Sequence, residues 1–209
     1  MAQKDVGNKV PIYKLKKTDE VMKYYDEWGE GNKYDQDMVD WNYTGPKETV
    51  SAFKKYSLSK EIKILDAGCG TGLVGVELKK FGYTNIDGLD LSKKLLNLVP
   101  KGFYNNLDQV DLNKPLKIQN DSYDVVMCVG TFTFGHVKAN ALDEFIRVVK
   151  NKGLICFTIN EGIYKEYGFD KKIKELSNNN IWKVKEFFKS DYIASKDVNA
   201  WLCLAEVTK

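Results

Sequence analysis

The chain has one histidine and one arginine, Arg147, among its 209 residues. A single histidine leaves an imidazole-built metal site without ligands, and no metal is expected. With arginine almost absent, bidentate reading of phosphate or guanine has no donor. A net charge of +3 gives no field for nucleic acid. The four cysteines, at 69, 128, 156 and 203, form no CxxC pair. Three of them sit in apolar runs, which reads as buried free thiols in a reducing compartment. No apolar run is long enough to span a bilayer, and Met1–Val10 lacks a signal-peptide core. A cytoplasmic protein with neither nucleic-acid nor membrane partners is therefore expected. No coiled-coil or strongly apolar surface pattern asks for a dimer, so a monomer is expected too.

What is present is concentrated in residues 64–72, Ile-Leu-Asp-Ala-Gly-Cys-Gly-Thr-Gly. A short apolar strand ends at Asp66, glycines alternate at 68, 70 and 72, and an apolar helical pattern follows. Strand, glycine turn and helix form a nucleotide cradle, because glycine lets backbone approach a ligand and a helix start presents free N–H groups. From residue 61 onward, strands (63–66, 85–90, 102–106, 123–129, 154–160) alternate with helices (72–81, 92–99, 138–150, 170–179). Two final strands, 182–192 and 198–207, have no room for a helix between them and should pair antiparallel. The expected fold is α/β: a doubly wound, Rossmann-like, seven-stranded sheet, mostly parallel with an antiparallel C-terminal hairpin, plus an N-terminal helical lid. One domain is expected, with a loose tail over 1–17, the lid over 18–58 (helices near 19–28 and 34–42, and a third opening at Gly45-Pro46) and the core over 59–209.

Two cofactors compete for these glycines. Gly70-Thr71-Gly72-Leu73-Val74-Gly75 also matches the dinucleotide fingerprint, and Asp90 lies 20 residues after Gly70, where a ribose-binding acid belongs. Three observations favour S-adenosylmethionine over NAD. Asp66 would repel a pyrophosphate but can hold an ammonium, directly or through water. Asp111, after the third strand, can accept from an adenine amino group while Asp90 accepts from the ribose hydroxyls. The antiparallel closing hairpin is unlike a dehydrogenase sheet. Other residues read as structural: Gly75 as a helix–strand packing position, Asp87 as surface, Asp124 as a partner for backbone donors.

The run ILDAGCGTG, followed by Asp87-Gly88-Leu89-Asp90-Leu91-Ser92 and Ser122-Tyr123-Asp124-Val125-Val126, resembles the class I S-adenosylmethionine-dependent methyltransferases. Tyr25-Asp26-Glu27-Trp28, Tyr34-Asp35-Gln36-Asp37 and Thr133-Phe134-Gly135-His136-Val137 are similar, more narrowly, to the methyltransferase-like protein 27 (Williams–Beuren region) group. The resemblance implies that Gly68, Cys69, Gly70 and Gly72 line the methionine end of the cofactor. It implies Asp90, Leu91 and Ser92 at the ribose and adenine, and Asp111 and Leu112 at the adenine edge. Cys128, Val129 and Gly130 would lie beside the transferred methyl, with Tyr25 or Tyr34 closing over it. The usual Pro-Gly-Gly before the fifth strand is here Asn151-Lys152-Gly153, which affects only a turn.

Ligands bind beyond the carboxyl ends of parallel strands. Thr131 and Phe134, Asn160 and Tyr164, and Trp28 from the lid are therefore the candidate substrate residues. Residues 19–40 hold eight acids against two lysines, interleaved with aromatics. Such a lid suits a cationic or amine substrate. His136, the one residue that titrates near neutrality unperturbed, is the candidate general base. The sequence thus predicts a methyltransferase acting on a small molecule, an amine for preference, by direct in-line transfer. Three alternatives stand beside it: a protein methyltransferase, a non-catalytic cofactor-binding partner protein, and an NAD(P)-dependent oxidoreductase suggested by Tyr167-Gly168-Phe169-Asp170-Lys171.

Overall fold

The computed structural model of the chain describes residues 9–15, 17–56 and 59–209. Seven strands form one sheet: β1 (Ile64–Ala67), β2 (Ile86–Asp90), β3 (Asn106–Gln109), β4 (Tyr123–Phe132), β5 (Val149–Asn160), β6 (Trp182–Ile193) and β7 (Val198–Val207). Their order is β3-β2-β1-β4-β5-β7-β6. The first five are parallel, while β7 runs antiparallel to both β5 and β6. This is the expected doubly wound sheet with its closing hairpin. The order reverses at β1, with β2 on one side and β4 on the other, so a cleft opens at their carboxyl ends.

Alternation along β4 builds both faces. Val125, Met127 and Val129 point into a core with α3 (Gly45–Phe53) and α4 (Leu73–Lys80). Val126 and Cys128 point the other way, into a core with α6 (Ala141–Val148) and α7 (Phe169–Asn178). All four cysteines are buried and free, Cys69 of the glycine turn as well as the three in apolar runs. Among the described residues no helix is long and apolar enough to cross a membrane.

Two boundaries and two placements differ from the sequence reading. The third strand lies at Asn106–Gln109, further on than expected, and is largely exposed, so no apolar run marked it. β5 begins at Val149, whose pairing with Tyr123 extends it through the exposed Lys150–Lys152. Asp87 is buried, not surface: it accepts from Asn106 and Tyr123 and pairs with Lys63 at 3.1 Å. Helix α3 belongs to the core layer rather than the lid, because Val50 and Phe53 pack on Leu78 and Met127.

The lid itself is α1 (Thr18–Trp28) and α2 (Lys33–Asp40), joined by a turn in which Gly31 and Asn32 take positive φ. Val21, Trp28 and Met38 bury against Tyr192, Ile193, Val198 and Ala200, at the end of the closing hairpin. Residues 9–15 are no loose tail. Val10, Ile12 and Tyr13 are buried in this same cluster, around a single 3-10 turn at Pro11–Lys14. The rest of the expected tail, residues 1–8 and 16, lies outside the described residues.

Candidate active site

The glycine turn is held from two sides. The backbone N–H groups of Gly68 and Cys69 donate to the Leu89 carbonyl at 2.7 and 2.9 Å, tying β1 to β2. The Asp90 carboxylate accepts from Gly70 N at 2.8 Å on one oxygen and from Ser92 N at 2.8 Å on the other. Burial pushes the Asp90 carboxyl up, and these N–H donors pull it back. Gly68, Gly70 and Gly72 all have positive φ, at 83°, 54° and 93°. At Gly68 a Cβ would stand 2.1 Å from Thr131 Oγ1, whereas at Gly70 it would meet nothing within 4 Å. The turn is thus closed towards β4 and open at Gly70. Replacing Gly68 with alanine combines a left-handed backbone with that clash. Gly68→Ala should lower both the urea midpoint and cofactor affinity, by about 2 kcal/mol in stability; an unchanged midpoint would refute the packing read here.

The cleft beyond the turn is lined by Gly68, Gly70, Asp90 and Leu91 on one side and Asp111 and Leu112 on another. Val129, Gly130 and Thr131 form its base, and Tyr25, Tyr34 and His136 its roof. Gly130 sits in a bulge of β4, with φ 82° and a register shift between Cys128 and Phe132, which opens the strand end toward the cleft.

Several expected residues are placed differently. Asp66 is fully buried and off the cleft wall; one oxygen takes the Tyr104 hydroxyl at 2.6 Å and Oδ1 has no partner. Burial raises its pKa to about 7, with Tyr104 opposing. Of the two contacts with an ammonium that the sequence allows, direct or through water, this buried position off the cleft wall suits the one through water. Tyr104, unmarked by any motif, also accepts from Gly75 N at 3.0 Å, and a Cβ at Gly75 would meet its hydroxyl at 2.5 Å. Gly75 is thus a packing residue, as expected.

The Cys69 sulfur lies against Gly88 of β2, and the Cys128 thiol is buried in the core; neither side chain lines the main cleft. Ser92 is buried. It caps α5 (Lys93–Leu98) by accepting from Leu95 N, and donates to Asp26 at 3.0 Å. Of the substrate candidates, Thr131 reaches the cleft and Trp28 a neighbouring cavity under the lid. Phe134 packs on Tyr13, 5.2 Å between centroids, and Asn160 is buried with its Oδ1 on Gly162 N. Tyr164 is turned away altogether, against Trp201 and Phe187.

His136 also departs from expectation. Its Nδ1 lies 2.5 Å from the Phe134 carbonyl, so that nitrogen carries the proton, and Nε2 accepts the Tyr25 hydroxyl at 2.9 Å. Desolvation pushes its pKa down to about 4, with the Phe134 bond opposing. It is neutral at physiological pH and does not titrate near 7.

The cleft suits S-adenosylmethionine chemically. Both Asp90 oxygens keep lone pairs for ribose hydroxyls after accepting one N–H each. Gly70 leaves open backbone, Asp111 borders the far end, and Asp66 Oδ1 is an orphaned buried acceptor behind the turn. The comparisons with known proteins agree. The chain belongs to the class I S-adenosylmethionine-dependent methyltransferases: a family model described as a methyltransferase domain matches residues 64–153. It is an enzyme of that class with that cofactor. Among individual proteins, it is 31% identical over 168 residues to methyltransferase-like protein 27 of Homo sapiens, spanning 77% of this chain and 67% of that protein. It is 36% identical over 95 residues to EEF1A lysine methyltransferase 2 of Danio rerio, 42% of this chain and 39% of that protein. A Haloferax volcanii methyltransferase, solved in complex with the Trm112 activator, shares the fold at TM-score 0.66 and 15% identity, over 88% of this chain and 98% of that one.

The oxidoreductase alternative falls with this assignment. Gly168, at φ 74°, stands just before α7, so Tyr167 and Lys171 do not share one helix.

Proposed function

We propose that this enzyme methylates a small molecule by direct in-line transfer, with Asp90, Leu91, Asp111, Leu112 and the Gly68–Gly72 turn holding the cofactor. The cofactor supplies an electrophilic methyl group on a sulfonium, so the protein's task is to position the acceptor and exclude water. The observation that carries the small-molecule reading is the closure of the lid. Asp35 of α2 accepts from Thr71 at 2.6 Å, Asp26 of α1 accepts from Ser92 at 3.0 Å, and Tyr25 reaches His136. These three ties roof the cleft where a macromolecular substrate would need a groove.

A protein substrate is the second reading, favoured by the likeness to a lysine methyltransferase. Labelled S-adenosylmethionine, incubated with the enzyme and a whole-cell extract, separates the two. Label is expected in the low-mass fraction, and label confined to protein would overturn the proposal.

On this reading His136 acts through Tyr25, by accepting its hydroxyl, rather than as a base near neutrality. Because its pKa is lowered to about 4, it stays uncharged across the range above pH 5. His136→Ala should lower turnover without changing the shape of the pH profile between pH 5.5 and 8 (about tenfold, for one buried hydrogen bond). Loss of an inflection near pH 6.5 would restore it as a base, and full turnover at every pH would remove it from the mechanism.

A further inference from the structure

Beyond Gly130 the cofactor cleft adjoins a second cavity beneath the lid, and Tyr25, Tyr34 and Gly130 belong to both walls. Trp28, Trp41, Tyr43 and Tyr192 complete an aromatic box. The rings meet at varied angles: Trp28 on Tyr34 at 4.9 Å and 75°, Trp28 on Trp41 at 5.4 Å and 45°, Tyr43 on Tyr192 at 5.1 Å and 88°, with Tyr25 nearly parallel to Trp28 at 6.0 Å and 20°. Tyr25, Tyr34, Trp41 and Tyr43 stay partly accessible although the lid is shut. The free volume is small, about 30 Å³, which suits a head group rather than a bulky molecule.

Among the described residues, no charged side chain lines this box. The lid's acids, which the sequence suggested would attract a cation, are engaged elsewhere: Asp26 on Ser92, Asp35 on Thr71, Asp37 on Trp28 Nε1 at 2.6 Å. Burial holds the phenols of Tyr25, Tyr34, Tyr43 and Tyr192 well above their usual pKa, so they are neutral. Thr133 Oγ1, in a residue buried at 3% exposure, has among the described residues no partner in full hydrogen-bonding geometry, and the Tyr13 hydroxyl lies close by.

We propose that this box seats the acceptor's nucleophilic group, and that the group is a small alkylated amine taken in neutral form, with Thr133 Oγ1 as its polar anchor. This deepens the small-molecule reading and rests on it. The amine must arrive unprotonated, because its free nitrogen lone pair is the nucleophile. During transfer the nitrogen lone pair forms the N–C bond while the C–S bond breaks, and that bonding pair stays on sulfur. Positive charge thereby moves onto nitrogen, and a proton on the product nitrogen leaves to water. The electron-rich ring faces bind the developing cation better than the neutral amine, which lowers the barrier rather than merely tightening binding. An anionic acceptor finds no cation here and meets those same faces unfavourably.

Binding, not turnover, tests this most directly. The full chain is saturated with S-adenosylhomocysteine and titrated with three probes of similar size: tetramethylammonium, tert-butanol and pivalate. Tryptophan fluorescence reports on Trp28 and Trp41. Tetramethylammonium should bind at least tenfold more tightly than tert-butanol, and pivalate should not bind. Trp41→Ala should weaken tetramethylammonium about tenfold and leave S-adenosylhomocysteine affinity unchanged. Equal binding of all three probes, or tighter binding of pivalate, overturns the amine assignment whether or not the variant folds. The labelled-extract experiment keeps the two proposals apart. A labelled small product that is not an amine sinks the box alone, whereas label only in protein sinks the reading beneath it.

Discussion

Asp90→Ala should abolish measurable cofactor binding, with a loss of at least a hundredfold, and should do so partly through the backbone. The carboxylate has two jobs in this structure. It accepts Gly70 N and Ser92 N, one on each oxygen, and it faces the cleft where a ribose would lie. Each charge-assisted bond lost is worth about 1.5–3 kcal/mol, and the orphaned N–H groups carry a desolvation penalty besides. Asparagine is no conservative replacement. Its one oxygen can serve one of the two N–H groups, while its amide nitrogen would face the other, donor to donor. Asp90→Asn should therefore approach Asp90→Ala in calorimetric titration with S-adenosylhomocysteine. A variant in which asparagine retains wild-type affinity would show that the turn is held by something other than this carboxylate.

That double role explains what was legible in the sequence and what was not. Asp90 was readable because it ends a strand whose apolar run was plain, and Asp111 because it follows the next strand, although that strand's own bounds were not plain; the sheet topology puts strand ends at the cleft. The strands themselves were readable where both faces are covered, as in Val125–Val129. They were misplaced or cut short where a strand runs to an exposed edge, as in Asn106–Gln109 and Lys150–Lys152, because no burial pattern distinguishes those residues from loop. Partners distant in sequence left no trace either. The bonds from Asp26 to Ser92 and from Asp35 to Thr71 convert what reads as an acidic surface into lid ties. Tyr164 follows the fifth strand, as a substrate residue should, yet aromatic neighbours at Phe187 and Trp201 draw it to the other side. Composition identified the aromatics of the lid; only the fold shows that they surround a space that no charged side chain among the described residues enters.

Asp66 offers the sharpest test of a residue whose chemistry the motif named but whose setting it concealed. Its folded pKa is raised to about 7, chiefly by burial, against an unfolded value near the ordinary carboxylate range. An acid shifted upward binds more protons folded than unfolded between those limits, so it destabilises the fold as pH rises. Stability should fall from about pH 4 to pH 7 and level off above, by an amount on the order of 4 kcal/mol for this one group. Asp66→Asn removes the titration while keeping an oxygen to accept the Tyr104 hydroxyl. The variant should unfold at higher urea than wild type at pH 8, by a few kcal/mol, and the two should converge near pH 4. Other shifted carboxyls, such as Asp87 and Glu144, are common to both proteins and cancel in the difference. Curves that stay parallel from pH 4.5 to 8 would mean that Asp66 ionises freely. If the same variant also loses affinity for S-adenosylhomocysteine, stability was surrendered at this position to keep a negative charge behind the turn. That charge would then act on the cofactor's ammonium through the unpartnered Oδ1, the one acceptor on Asp66 that Tyr104 leaves open.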